Sequence, residues 1–433
     1  MKYFNFVNLT CVLIIILQIG CSKSQSSNPP SPPSLKVTGQ VLCYGANAGD
    51  AVVSPSTSGS NVLPVQVGGS SLCGSSPNTP CVSVTVCTPG TTNCMVIPNI
   101  LVDTGSVGLR IFSQTLSQSF CNTLPPLKDS TGTPVAECAQ FGSSNDWGGV
   151  VTAKVQLAGE PAISSLPIQI INSTYATMPS SCGSVDLNPA QAGINGILGV
   201  GLFKADCGSD CQSSSNLGIY FSCVGINCSP IRLAVNQQVS NPVSALLTDN
   251  NGVVLDLPAI SSSGTMTVDG SLYLGIGTRN NNTPGNVTTF TASNLGNFGA
   301  ITTTFSGANY SESFIDSGSN GLYFQGSAVT SILPPCPANE IAANFVCPSG
   351  VKSFTNTNTS STGRSGQVAI TIGNAQTLFN TPNTNVYNDL GGDLGSSFPN
   401  AFDYGLPFFL GRKVYVGIDA SASSLGVGPY WAY

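Results

Sequence analysis

Ile100-Leu-Val-Asp103-Thr-Gly-Ser-Val-Gly-Leu-Arg110 and Ser313-Phe-Ile-Asp316-Ser-Gly-Ser-Asn-Gly-Leu-Tyr323 are two copies of one phrase, apolar-apolar-Asp-Thr/Ser-Gly-Ser-x-Gly-Leu. A lone Asp-Thr-Gly or Asp-Ser-Gly is a common turn in which the carboxylate caps backbone amides. Two copies with matching flanks are harder to obtain by chance, and they supply a pair of like-placed carboxylates. Such a pair performs acid–base chemistry without histidine, and the chain contains no histidine.

That absence removes Ser-His-Asp and Cys-His catalysis, along with nearly every catalytic zinc site built on imidazole. Carboxylates are what remain. Charged residues make up only 7% of the chain, with 13 Lys plus Arg against 19 Asp plus Glu. Nothing resembles the basic stripe that neutralises phosphates, so no nucleic-acid partner is expected.

Residues 1–20 read as an export signal: Lys2, then an apolar run centred on Val12 to Leu17, then Gln18-Ile19-Gly20 before Cys21. The apolar run is short for a membrane span. Ile-Gly-Cys resembles a bacterial lipoprotein cleavage site, which makes Cys21 the expected lipidated residue and gives the chain a membrane anchor. Residues 21–35, rich in Ser and Pro, read as a tether. The expected location is the periplasm or outer membrane of a bacterium, at the cell surface, or secreted.

Setting aside Cys11 and Cys21, the remaining cysteines are even in number, and an exported chain is expected to pair them. Spacing suggests local pairs Cys73/Cys81, Cys87/Cys94, Cys121/Cys138, Cys207/Cys211, Cys223/Cys228 and Cys336/Cys347, which leaves Cys43 for Cys182. A four-thiolate zinc site of Cys207, Cys211, Cys223 and Cys228 is the alternative. Their spacings are looser than paired zinc knuckles and an oxidising compartment opposes free thiolates, so no metal is expected. Nor is a cofactor.

Alternation of period two recurs at Val82–Val86, Val151–Leu157, Thr265–Leu274, Val368–Ile372 and Val414–Ile418. No long amphipathic helical pattern appears, so the predicted class is all-β with short helices. The length exceeds one typical core and points to two lobes, each carrying one Asp motif: residues 36–240 and 241–433.

These residues together resemble the pepsin-like aspartic proteases, and more closely a bacterial branch of that superfamily found among secreted and lipid-anchored proteins. Each Asp turn of the family is followed by a later apolar-apolar-Gly segment that threads beside it. Gly196-Ile-Leu-Gly199 and Phe408-Phe-Leu-Gly411 are in the expected order. Gln140-Phe141-Gly142-Ser143, followed by Trp147-Gly-Gly149, is similar to the flap hairpin that covers the family's active site. The resemblance runs from about Val41 to the C-terminus. It implies a bilobal fold of two pseudo-symmetric β lobes with a central cleft, and a monomer acting on a polypeptide substrate as an aspartic endopeptidase.

The resemblance also assigns roles. Asp103 and Asp316 would share one proton and activate a water held between them, at acidic pH. Gly105 and Gly318 let the backbone approach both carboxylates closely. Thr104 and Ser317 hydrogen-bond across the axis between the lobes, and Ser106 and Ser319 donate to the outer carboxylate oxygens. Phe141, Gly142 and Trp147 belong to the flap. The chain departs from the family where Phe141 replaces a tyrosine, where Arg412 rather than Asp follows Gly411, and where Arg110 stands in place of a core aromatic. A catalytically inactive surface protein that binds peptides or glycans in the same cleft is the alternative; retention of two mutually repelling carboxylates argues against it. A third alternative is a disulfide-stapled adhesive β protein.

Overall fold

Leu63, Val65 and Val67 alternate with Pro64 and Gln66 along strand Val62–Gly68, and all three aliphatics are buried. This period-two burial of one face is what makes the segment a strand, and it recurs through the chain. The computed structural model describes residues 42–43, 60–69, 72–142, 144–293, 299–395 and 398–433. The five alternating segments lie on strands Pro80–Cys87, Asn145–Gln156, Thr267–Leu274, Ser365–Ile372 and Arg412–Gly417. Helices among the described residues are short, the α-helix Gly208–Ser213 having six residues. The protein is mostly β.

Two large sheets carry the fold, one of fifteen strands and one of seven among the described residues. In the larger, strand Val62–Gly68 lies between Pro80–Cys87 and Thr267–Leu274. It pairs with the latter along its whole length, from Val62↔Tyr273 to Gly68↔Thr267. The sheet continues through Gly252–Leu257 and Arg412–Gly417 to Tyr430–Ala432, so early, middle and late parts of the chain share one ladder. One apolar cluster extends from Leu63 to Trp431, and residues 37–433 form a single compact unit.

Both Asp motifs sit in the same local three-strand arrangement. Strand Cys94–Asp103 delivers Asp103 and strand Val107–Phe112 leaves it; Gly196–Val200 lies between them, parallel to the first and antiparallel to the second. Strand Ala308–Ile315 delivers Asp316 and Leu322–Phe324 leaves it, with Asp403–Tyr404 between them in the same two senses. The pairings Leu101↔Ile197 and Phe314↔Asp403 put Ile197 and Asp403 in corresponding positions. This corrects the expectation for the second motif: the threading segment is Phe402-Asp-Tyr-Gly405, not Phe408–Gly411. Leu406–Phe408 is instead a 3-10 turn leading to the next strand. The sequence reading slid six residues because the intended apolar position holds an aspartate.

Among the described residues the disulfides are Cys73–Cys81, Cys87–Cys94, Cys207–Cys211, Cys223–Cys228 and Cys336–Cys347 as expected, but Cys43–Cys121 and Cys138–Cys182 in place of the other two pairs. Cys121 ends a helical turn buried in the main core, whereas Cys138 lies on a strand in a separate cluster with Cys182 and Trp147. Neighbours in sequence are here on different layers. The zinc alternative fails because its four thiols are two disulfides. Such disulfide content fits an exported protein, and no helix among the described residues is long and apolar enough to cross a membrane. The export segment, Cys21 and the tether lie outside the described residues.

Candidate active site

Val102 and Ile315, fully buried, pin the ends of the two entering strands, and Leu109 and Leu322 pack in the same core. Burying four such side chains contributes several kcal/mol, at roughly 1.5–3 kcal/mol each. The turns they hold face each other. Thr104 N–H donates to Ser317 Oγ at 3.2 Å, and Ser317 N–H donates to Thr104 Oγ1 at 2.9 Å. Each hydroxyl then donates onward to the opposite strand, Thr104 to Ile315 O at 3.0 Å and Ser317 to Val102 O at 2.6 Å.

This clasp brings the carboxyl groups together. Asp103 accepts from Gly105 N at 2.8 Å and Ser106 N at 3.1 Å through Oδ1, and from the Ser106 hydroxyl through Oδ2. Asp316 accepts from Gly318 N at 2.7 Å through Oδ1 and from Ser319 Oγ at 3.0 Å through Oδ2. Each carboxyl also overlies the other's turn. A Cβ added at Gly105 would lie 2.5 Å from Asp316 Cγ, and one at Gly318 would lie 2.8 Å from Asp103 Cγ. Only glycine leaves room for that crossing.

Two carboxylates so close cannot both ionise cheaply. Burial first, then the charges of Asp103 and Asp403 and the hydrogen bond with Asp103, push the Asp316 carboxyl well above the usual carboxylate range. A pair of this kind titrates as one unit, able to hold a single proton between two oxygens. It can take a proton at one oxygen while presenting one from another.

The hairpin Val135–Gln140 with Asn145–Gln156 turns at Phe141 and Gly142. Phe141 packs against the apolar cluster that holds Phe112 and Ile197, as Leu101 does, and the Arg110 guanidinium lies 5.6 Å from its ring centre. A Cβ on Gly142 would be 3.8 Å from the ring of Phe398, five positions before Asp403. The hairpin tip therefore lies between the cluster around Phe112 and Ile197 and the stretch leading into strand Asp403–Tyr404. Trp147 lies on the second strand of this hairpin, opposite Cys138, fully buried and packed edge-on against Phe221, with its indole nitrogen unpaired among the described residues.

Two cations singled out by the sequence have partners of their own. Arg110 is buried and bonds Glu137 at 2.6 Å, Asp206 at 3.1 Å and Val107 O at 2.7 Å. Arg412, the other departure from the family pattern, donates to Phe408 O at 2.7 Å and Ala369 O at 3.1 Å and stacks over Phe408. A surface hollow lined by Thr248, Asp249 and Arg279 holds neither Asp turn; Arg279 there binds Glu160 and Asp249.

Asp403 is what sequence reasoning missed. It is buried and acts on Asp316 by charge; burial first, against an opposing contribution from Ser319 and with the charge of Asp103 added, pushes its carboxyl well above the usual range. Its signal was an acid inside the apolar run Ala401-Phe-Asp-Tyr404.

No curated protein matches the chain. Among solved structures it is similar to the crystal structure of an aspartic proteinase from Irpex lacteus, at 14% identity and a TM-score of 0.46, over 86% of this chain and 96% of that one. The model of the family described as "Protein of unknown function (DUF3443)" matches residues 57–433, and the chain belongs to that family.

Proposed function

We propose that the protein is a pepsin-type aspartic endopeptidase of two β lobes, residues 36–240 and 241–433, with Asp103 and Asp316 as its catalytic pair. One observation carries the reading: each carboxyl is gripped by its own turn's amide and serine while lying over the opposite turn's glycine. A structural Asp turn needs the first half of that arrangement and gains nothing from the second.

In the proposed reaction a water between the carboxyls loses a proton to the ionised one as it attacks the amide carbonyl, which the protonated one polarises. Proton return to the amide nitrogen releases two peptides, with no covalent intermediate. The substrate is an extended polypeptide lying between the turns and the hairpin tip at Phe141 and Gly142. Activity is greatest in acid, where the pair holds one proton. The enzyme works as a monomer held to a bacterial membrane through Cys21.

Cleavage of an unfolded protein is measured from mildly acidic to neutral pH, with and without a statine-type peptide inhibitor. Hydrolysis in acid that the inhibitor blocks is expected, and Asp103→Asn and Asp316→Asn should each lower kcat about 10³-fold, within the range of general acid–base contributions. Undiminished hydrolysis by Asp103→Asn rules the mechanism out. Inactivity of the unaltered protein at every pH turns the reading to a binding protein. For the anchor, Cys21→Ala is expected to abolish fatty-acid labelling; equal labelling removes it.

A further inference from the structure

Val107 and Asn320 hold the same place in the two Asp turns, directly after the serine that grips each carboxyl. Both turns present two successive carbonyls, and both carbonyls are held. In the first, Ser106 O accepts from Gly201 N at 2.8 Å and Val107 O accepts from Arg110 Nη1 at 2.7 Å. In the second, Ser319 O accepts from Leu406 N at 2.7 Å, but Tyr323 stands where Arg110 does and turns its hydroxyl to Asn320 Oδ1 at 2.5 Å. Asn320 O is taken instead by Asn78 Nδ2 at 2.7 Å, from a residue 242 positions away.

The surroundings of Asn78 fit that contact. It is 1% exposed, and its φ of 55° lies in the left-handed region that asparagine and glycine tolerate best. Its Nδ2 also donates to Tyr387 O at 3.0 Å, its Oδ1 accepts from Tyr387 N at 2.7 Å, and its own N–H donates to Asn385 O at 3.0 Å. The Cys73–Cys81 disulfide closes the loop that carries it. A short side chain with two hydrogens and an acceptor is needed to meet all three side-chain contacts, and a carboxylate or a serine cannot.

We propose that Asn78 is a positioning residue for Asp316: through Asn320 O it fixes the turn whose amide and hydroxyl orient that carboxyl, a task that falls to Arg110 in the first turn. The donors to Asp316, Gly318 N and Ser319 Oγ, immediately precede Asn320. Freed at its carbonyl, the Asn320 peptide can rotate and carry Ser319 with it. Misplacing a reacting group by about 1 Å can cost about 10²-fold in rate. The first turn keeps its own cation, so loss of Asn78 acts on one half of the carboxyl pair only. The inference rests on the proposed function for its effect on hydrolysis; the hold on the turn stands without it.

Asn78→Gly keeps the left-handed backbone and removes the amide. Amide hydrogen exchange in the full chain is followed by mass spectrometry on peptides covering residues 313–323 and 100–110. The first segment, where Gly318 N and Ser319 N donate to Asp316 Oδ1 and O, should exchange about tenfold faster, as expected when a buried carbonyl loses its donor. The second should be unchanged. For an unfolded protein substrate in acid, kcat should fall about tenfold with KM little altered. An asparagine that served folding alone would speed both segments alike or neither. Either result overturns the proposal, as does an unchanged kcat in a variant whose 313–323 segment has loosened. Asp at this position has at most one hydrogen for Asn320 O and Tyr387 O, so if Asn78→Gly does not fold, Asn78→Asp carries the comparison with the same expected selectivity. If the unaltered protein hydrolyses nothing, the endopeptidase reading fails while the exchange comparison still decides whether Asn78 holds the turn.

Discussion

Thr104 and Ser317 exchange backbone-to-hydroxyl hydrogen bonds in both directions, at 3.2 and 2.9 Å, although 213 residues separate them. Both residues are buried. Removing either hydroxyl leaves a buried amide and a buried carbonyl without partners, each costing about 1–3 kcal/mol. Thr104→Val and Ser317→Ala should each lower unfolding free energy by about 2–4 kcal/mol in urea titrations. The double variant should cost clearly less than the two together, because the clasp is broken once. Strict additivity would mean that the two turns are held independently.

Gly105→Ala should abolish any activity of the carboxyl pair while Gly285→Ala changes nothing. The first Cβ would meet Asp316 Cγ at 2.5 Å, and the second has open space around it. Because the obstructing group is a carboxyl held by Gly318 N and Ser319 Oγ, relief requires pulling Asp316 off its donors. The readout is cleavage rate alongside thermal denaturation, which separates lost geometry from lost folding.

Stability should fall as pH rises from about 4 to 8. Burial first, then the charge of Asp186, pushes Asp146 up to about 8, and burial pushes Asp389 up to about 6. Asp206, Asp316 and Asp403 are raised as well, burial again the leading cause. A carboxyl whose folded value exceeds its unfolded one binds its proton more tightly when folded, so its contribution is complete below about pH 4 and is lost on going up through the folded value. Asp129 acts oppositely: burial opposes the change, but hydrogen bonds from Thr131 and Ser222 hold it down at about 2, so its contribution is lost only in stronger acid. Melting temperature measured against pH should thus peak in mild acid, and Asp146→Asn should flatten the decline toward pH 8.

Arg110→Leu should destabilise by about 3–5 kcal/mol, since it strands Glu137 and Asp206 as buried unpaired acids. Adding Glu137→Leu and Asp206→Leu should restore much of the loss, as apolar replacement of a buried ion network often does. Denaturant midpoints of the single and triple variants decide it. A triple variant no more stable than Arg110→Leu would show that the network does more than neutralise itself.

The strands were legible in the sequence because Val82–Val86 or Val414–Ile418 alternate cleanly, and burial of one face follows from that period alone. The pair of Asp turns was legible for a different reason: hydroxyl, glycine and serine recur in one order, each needed at one atom. What failed was what depends on layer rather than order. Cys121 and Cys138 are close along the chain yet sit in different clusters, so proximity paired them wrongly. Asp403 was hidden because an acid in the middle of an apolar strand breaks the pattern that locates such strands.

Strand Val62–Gly68 is stitched to Thr267–Leu274 over its entire length and touches its own neighbour Pro80–Cys87 at only two positions. An N-terminal fragment made alone would present that strand as a bare apolar edge, an invitation to self-association. Cleavage at the exposed Leu247 would not separate the pieces, because the ladder spans the nick. The two parts of the gene product behave as interlaced fingers: co-expressed as separate polypeptides they should assemble, and neither should be soluble without the other.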